Sequence, residues 1–177
     1  MNIVIAGASG FVGTALSRFL LEAGHQVIGV GTRASHPLQN TAAFAWIAAD
    51  TTRPGPWQDA VGKADAVVNL TGRTIAKRWS RAYKATIVDS RILTTRNIVD
   101  VMGGPDKILV STSAVGYYGD RGEEILTEAS QPAGDFLGRL AVDWENTARR
   151  AETQGVRVAI MRFGVVLGVG GGALAQM

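Results

Sequence analysis

The sequence predicts an α/β fold, a doubly wound parallel sheet covered by helices on both faces in three layers. Three observations predict it. Short runs of continuously apolar residues recur along the chain, as strands buried on both faces require. Helical stretches alternate with those runs, the pattern of parallel strands joined by crossovers. The first run passes directly into a glycine triplet, Gly7, Gly10 and Gly13, that opens a helix.

The first unit covers residues 1–33. Residues 3–6 form a strand, 7–13 a tight turn and 14–22 an amphipathic helix; a turn at Gly24 leads into a second strand at 27–30. The spacing G-x-x-G-x-x-G is a variant of the dinucleotide fingerprint. Its glycines allow a tight turn, close approach of backbone to a pyrophosphate and close packing of helix on sheet. The helix start offers free N–H groups and a positive dipole end to phosphates. Glycine makes up 22 of the 177 residues, so the triplet gains its meaning from the strand before it and the helix after it.

Beyond the second strand stand Gly31, Thr32 and Arg33. A site for NAD usually places Asp or Glu here to accept hydrogen bonds from the adenosine ribose. Thr32 and Arg33 instead offer a hydroxyl and a guanidinium, which suit a 2′-phosphate and favour NADP over NAD; the alternative is a solvated loop arginine. His36, before Pro37 in a polar loop, is expected to be exposed. A third strand at 44–49 ends at Asp50 and Thr51. Asp50 either receives an adenine amino group or caps the next turn. Pro54, Gly55 and Pro56 interrupt the chain before a short helix at 57–61. A fourth strand at 66–70 runs into Thr71 and Gly72, a second place where backbone can approach a cofactor.

Residues 79–102 read as a helix with Trp79, Tyr83, Ile87, Val88, Leu93, Ile98 and Met102 on its apolar stripe, which places Trp79 in the core. Gly103, Gly104 and Pro105 end it. A fifth strand at 108–110 terminates in Ser111, Thr112 and Ser113. The long loop at 114–133 has no period, and such loops are usually functional. A helix at 136–154 carries Phe136, Leu140, Trp144, Ala148 and Ala151 on one face, and a sixth strand follows at 156–163. A glycine-rich stretch then leads to what reads as the start of another helix at the chain's end. Residues 1–168 are thus expected to form a cofactor domain. Residues 169–177 are expected to open a C-terminal substrate lobe that is absent from this chain.

Composition narrows the function classes. The apolar fraction of 46% fits a globular core, and 18 basic against 15 acidic residues give a net charge of +3. The basic residues are dispersed, with one cluster at Arg73, Lys77, Arg78, Arg81 and Lys84. Attraction to phosphate-bearing ligands follows, whereas the aromatic interleaving of a nucleic-acid surface is missing. The chain has no cysteine, which excludes disulfides and thiol chemistry, and two separated histidines give no support to a metal site. No apolar run approaches a membrane span, and Met1 stands almost on the first strand, so a cytoplasmic location is expected.

With these segments in place the chain resembles the extended short-chain dehydrogenase/reductase superfamily, and within it an atypical branch of epimerase-like proteins of unassigned reaction. The stretches that carry the resemblance are GASGFVGTAL at 7–16, VNLTG at 68–72, SRILTTRNIV at 90–99, STSAVGYYG at 111–119, DWENTA at 143–148 and RFGVVLGVGGGA at 162–173. The resemblance implies a Rossmann domain holding NADP. Gly7, Ser9, Gly10, Phe11, Val12 and Gly13 would meet the pyrophosphate, Thr32 and Arg33 the adenosine phosphate, and Asp50 and Thr51 the adenine. Leu70, Thr71 and Gly72 would line the path of ribose and nicotinamide. Arg91 is either a further cofactor contact or a solvated helix arginine. Members of that branch continue into a C-terminal substrate lobe, and a small-molecule substrate is expected, with nucleotide sugars among the candidates. Extended members often dimerise through two helices, for which 79–102 is a candidate in a homodimer, although packing on the sheet explains its stripe equally well.

The same resemblance exposes a departure. Catalytic members use a Ser or Thr, a Tyr and a Lys four residues later, the Lys charge lowering the Tyr pKa from about 10. Ser113 matches the serine. The Tyr and Lys positions hold Phe136 and Leu140, neither of which transfers protons. Tyr117 and Tyr118 stand in the loop after Ser113, with Arg121 and Gly122 four residues on. Three readings remain: an NADP-dependent oxidoreductase or epimerase drawing its acid/base from Tyr117, Tyr118, Asp120, Arg139 or the missing lobe; a non-catalytic NADP-binding sensor; or a structural remnant.

Overall fold

Strand β1 (Asn2–Ala6) sends Ile3 and Ile5 to one face of a sheet and Val4 and Ala6 to the other, each into its own core. That two-sided burial is what a central parallel strand needs. The computed structural model describes residues 1–173. Around β1 stand β2 (Gln26–Gly31), β3 (Phe44–Ala48), β4 (Ala66–Asn69), β5 (Ile108–Ala114) and β6 (Arg157–Phe163), all parallel, in the order β3-β2-β1-β4-β5-β6. The order reverses between β1 and β4. In open α/β sheets the ligand crevice lies at such a switch, beyond the carboxyl ends of the strands.

One layer over the sheet consists of α1 (Phe11–Glu22) with the β2–β3 crossover, whose Leu38 joins the core of Ile3, Ile5, Val27 and Phe44. The other layer holds α2 (Trp57–Lys63), α3 (Arg81–Val99) and α4 (Phe136–Arg149), which bury Trp57, Val61, Ile98 and Ala148 against Val4, Val67 and Leu109. This is the three-layer, doubly wound architecture the sequence predicts. Leu140, Trp144, Ala148 and Ala151 are buried as their spacing requires, and Phe136 is half-buried.

Four local expectations need correction. His36 is not exposed but 2% accessible. Its Nδ1 accepts from the Leu38 N–H, so Nε2 carries the proton and donates to the Ala8 carbonyl at 3.2 Å. Its ring stacks on Phe44 and Trp46, an apolar slot that the polar neighbours in sequence conceal. Replacing His36 by Ala is expected to cost roughly 2 kcal/mol through the orphaned carbonyl and lost stacking, measured by urea unfolding. The long helix begins at Arg81, with Ser80 Oγ accepting from the Tyr83 N–H as its cap. Trp79 therefore precedes the helix and is 36% exposed rather than core. The buried positions of α3 include Thr94, Thr95 and Asn97, a polar set that a search for apolar periodicity passes over. Finally, Ser111, Thr112 and Ser113 lie within β5, not after it.

Beyond β6 the glycine-rich stretch forms a small hairpin, β7 (Leu167–Gly168) and β8 (Gly171–Gly172). Side chains at Gly168 and Gly171 would run into the Phe11 ring, so these glycines let the hairpin lie flat upon it. The helix start expected at the chain's end falls on 174–177, outside the described residues.

Candidate cofactor and active site

The turn after β1 is shaped by three glycines with different duties. Gly7 has φ +85°, a conformation that side chains other than glycine's rarely adopt. Gly10 is the N-cap of α1 and contributes no side chain to cap it, nor does any acidic residue stand in the first turn. At Gly13 a Cβ would lie 2.7 Å from the Ala8 Cα and closer still to the Gly7 carbonyl oxygen, so only glycine lets α1 approach the turn. The result is a helix N-terminus whose first N–H groups are available to an anion.

A continuous groove crosses the sheet above this turn. Its first cleft, about 230 Å³, is lined by Gly7, Ser9, Gly10, Thr32, Asp50, Thr51, Leu70, Thr71 and Gly72, together with Gly31, Thr52, Arg73, Ser90 and Thr94. A second cleft, about 270 Å³, shares Gly7, Gly10 and 70–72 with it and adds Phe11, Val12, Gly13, Arg91 and Ser113, with Thr112, Ala114, Trp144 and Phe163. Residues as far apart in sequence as Gly7 and Phe163 thus close onto one crevice at the β1–β4 switch point. Arg33 stands outside the groove's lining and is exposed, although its carbonyl accepts from Trp46 Nε1 at 3.1 Å.

Asp50 does cap its turn: Oδ1 accepts from the Thr52 hydroxyl at 2.7 Å and the Thr52 N–H at 3.1 Å, while the residue also lines the first cleft. The Thr52 hydroxyl is the main reason its carboxyl stays below the usual range, against the opposing effect of burial. Arg91 is not a solvated helix arginine. Its guanidinium lies 5.2 Å from the Trp144 ring and donates to the Arg73 and Ile87 carbonyls, and burial lowers its pKa.

The floor of the groove is braced by a buried polar network that sequence reading missed. Asn69 Nδ2 donates to Thr95 Oγ1 at 2.9 Å, and Trp144 Nε1 donates to the same oxygen at 2.9 Å. Asn69 Oδ1 accepts from the Thr71 hydroxyl and N–H, which sets the backbone of 70–72 where it faces the cleft. Thr94 and Asn97 tie α3 to Thr51. Apart from Thr51, the network's members lie in the VNLTG, SRILTTRNIV and DWENTA stretches, but no spacing within those stretches pairs them with one another.

Around Ser113 the geometry is specific. Its hydroxyl donates to Glu145 Oε1 at 2.6 Å. The Glu145 carboxylate also receives both arms of the Arg162 guanidinium at 2.8 Å, a bidentate pair with both side chains largely buried. Burial raises the Glu145 pKa, but the hydrogen bonds from Arg162 and Ser113 outweigh it and hold the group below its ordinary value. Arg162 is shifted upward, chiefly by the hydrogen bond to Glu145. Its Nη1 donates to the Tyr118 hydroxyl at 2.7 Å, and the guanidinium lies 3.5 Å from the Tyr117 ring centroid. Ser113 therefore reaches the groove, whereas Tyr117 and Tyr118 stand behind it on Arg162, outside the lining of either cleft. Glu145 and Arg162 were not read as site residues, though DWENTA and RFGVVLG contain them. Among the described residues no cluster of side chains suits a metal, and no helix is long and apolar enough to cross a membrane.

Comparison with known proteins agrees with this architecture. Residues 3–176 match the model of the NAD dependent epimerase/dehydratase family. The chain is 38% identical to Epimerase family protein MT2273 of Mycobacterium tuberculosis over 178 residues, covering 99% of this chain and 57% of that protein. It is 36% identical to the chloroplastic Epimerase family protein SDR39U1 homolog of Arabidopsis thaliana, covering 100% of this chain and 52% of that one. The chain thus spans about half the length of the curated relatives it matches. Human epimerase family protein SDR39U1, solved with NADPH, superposes with a TM-score of 0.80 at 28% identity over 100% of this chain and 58% of that one. The nucleoside-diphosphate sugar epimerase of Corynebacterium glutamicum gives 0.80 at 34% identity over 99% of this chain and 36% of that one. A sheet wound in this order, a glycine turn that only glycine can fill, and a family match over nearly the whole chain place this protein in the NAD dependent epimerase/dehydratase family.

Proposed function

We propose that this chain is the NADP-holding domain of an epimerase/dehydratase-like oxidoreductase acting on a small molecule. The observation that carries the reading is the pairing, on one cleft, of an uncapped α1 N-terminus with a β2 end that presents Gly31 and Thr32 and no carboxylate. The first suits a pyrophosphate and the second tolerates a 2′-phosphate. The NADPH bound to the human relative supports the choice of NADP. Nucleotide sugars enter as candidate substrates through the Corynebacterium glutamicum relative. Bound NADP supplies hydride transfer. The chain's own part near the reacting end is Ser113, whose proton is committed to Glu145, so that its oxygen faces a ligand as an acceptor.

Fluorescence titration with NADPH and NADH tests this. Failure of both to bind below about 1 mM, some 4 kcal/mol, overturns it. Arg33→Ala is expected to weaken NADPH about tenfold, some 1.4 kcal/mol, with NADH unaffected; equal losses would remove Arg33 from the 2′-phosphate.

A second reading, an NADP-binding sensor without turnover, is favoured by Phe136 and Leu140 at the positions of the proton-transfer pair. Screening the NADPH-loaded protein for reduction of carbonyl and nucleotide-sugar substrates separates the two. Turnover establishes the enzyme, and tight NADPH binding without turnover on any of them favours the sensor.

A further inference from the structure

A third cavity, about 220 Å³, opens off the groove beyond Ser113. Ile75, Val115, Leu137, Leu140, Phe163 and Val165 form its walls, and Arg91 is the one charged side chain in its lining. The two residues that replace the superfamily's Tyr and Lys divide between the cavity and its rim. Leu140 lines the cavity, and Phe136 meets the Trp79 ring edge-on at 5.4 Å, just before Leu137.

The rim next to this wall is strongly basic. Residues 73–84 carry Arg73, Lys77, Arg78, Arg81 and Lys84, with no acidic residue between Asp65 and Asp89. None of the five enters an ion pair among the described residues. The segment is fastened in place: the Arg73 N–H donates to Ser90 Oγ at 3.0 Å, Trp79 Nε1 to the Ile75 carbonyl at 2.9 Å and the Tyr83 hydroxyl to the Thr74 carbonyl at 2.7 Å. The Lys84 ammonium sits 5.1 Å from the Phe136 ring and 5.7 Å from Trp79, which binds the rim to the start of α4 beside the cavity.

We propose that this cavity and its basic rim form the substrate site for a ligand with an apolar body and a diphosphate end. The body lies in the cavity and the diphosphate lies on 73–84. The inference rests on the NADP-dependent reading above and narrows its substrate class. A sugar's hydroxyls would be stripped of water against Ile, Leu, Val and Phe with only Arg91 to bond, a costly exchange, whereas an apolar chain gains from the same walls. Uncompensated cations on the rim complement a diphosphate, which is shared with a nucleotide sugar; the apolar walls are not.

Calorimetric titration of the NADPH-saturated protein with geranyl diphosphate, inorganic pyrophosphate and UDP-glucose decides between them. Geranyl diphosphate is expected to bind at least tenfold tighter than either of the others. The double change Arg81→Ala/Lys84→Ala is expected to weaken geranyl diphosphate and pyrophosphate tenfold or more while leaving NADPH affinity unchanged. Val165→Asp, at a position 74% exposed, should erase the advantage of the geranyl chain and leave pyrophosphate binding intact. UDP-glucose binding as tightly as geranyl diphosphate, or displacement of geranyl diphosphate by NADPH, overturns the proposal. NADPH is titrated first and alone, so a failure of the cofactor reading shows there; the diphosphate series on the same protein still decides the site.

Discussion

Gly13→Ala is expected to lower NADPH affinity at least a hundredfold, about 2.7 kcal/mol, and to reduce stability by roughly 1–3 kcal/mol through overpacking. The added Cβ would fall on backbone atoms only, the Gly7 carbonyl and Ala8, and no flexible side chain stands there to yield. Helix α1 must back away from the turn, and the N–H groups that face a pyrophosphate move with it. Gly24→Ala is the control. Its φ of +81° carries strain of about 1–2 kcal/mol, but open space surrounds it and it lies at the far end of α1. It should cost stability while leaving NADPH affinity intact. Wild-type affinity in the Gly13 variant would sink the phosphate cradle.

The second large effect belongs to Glu145. Glu145→Ala leaves Arg162 charged, largely buried and without its carboxylate, a defect of about 3–5 kcal/mol. It also frees the Ser113 hydroxyl and loosens Arg162, which donates to the Tyr118 hydroxyl and the Glu128 carbonyl, so the 118–133 loop should become more open to proteolysis. Replacing both partners by Met should recover much of the loss, because no lone buried charge then remains. The pH dependence has a defined sign. The Glu145 pKa is lower in the folded protein than its ordinary value of 4.5. Its stabilisation is therefore complete above that value and is lost as pH falls through the folded value. Urea unfolding of the two proteins should show a gap that is constant near neutral pH and narrows below about pH 4.5. A gap unchanged down to pH 3 would mean that the pair contributes nothing through its charge.

The parts of this molecule that were legible in its sequence are those written in contiguous residues. The strand–turn–helix of β1 and α1 follows from glycines three apart between an apolar run and an amphipathic one. The face of α4 follows from spacings of three and four. Helix α3 is legible too, with Ile87 and Ile98 of its stripe buried, but the polar part of its buried side is not. Thr94, Thr95 and Asn97 are satisfied by Thr51, Asn69 and Trp144, partners 26 to 49 residues distant. Periodicity registers apolar residues and is silent on polar ones that find partners across the fold. His36 was hidden in the same way, polar in its neighbourhood of sequence and apolar in its neighbourhood of space.

By itself, then, the sequence determined the winding of the sheet, the glycine turn beneath a cofactor groove, and the absence of a Tyr and Lys pair at Phe136 and Leu140. Turn chemistry and hydrophobic period are local properties, complete within a few residues. Only the tertiary structure decided that Ser113 answers to Glu145 and Arg162, that Arg91 is held on Trp144 beside the groove while Arg33 stands outside its lining, and that Leu140 lines an apolar cavity while Phe136 packs on Trp79 beside a basic rim. Those relations depend on which elements meet at the carboxyl ends of the strands, and the chain reaches that arrangement only when every crossover has closed.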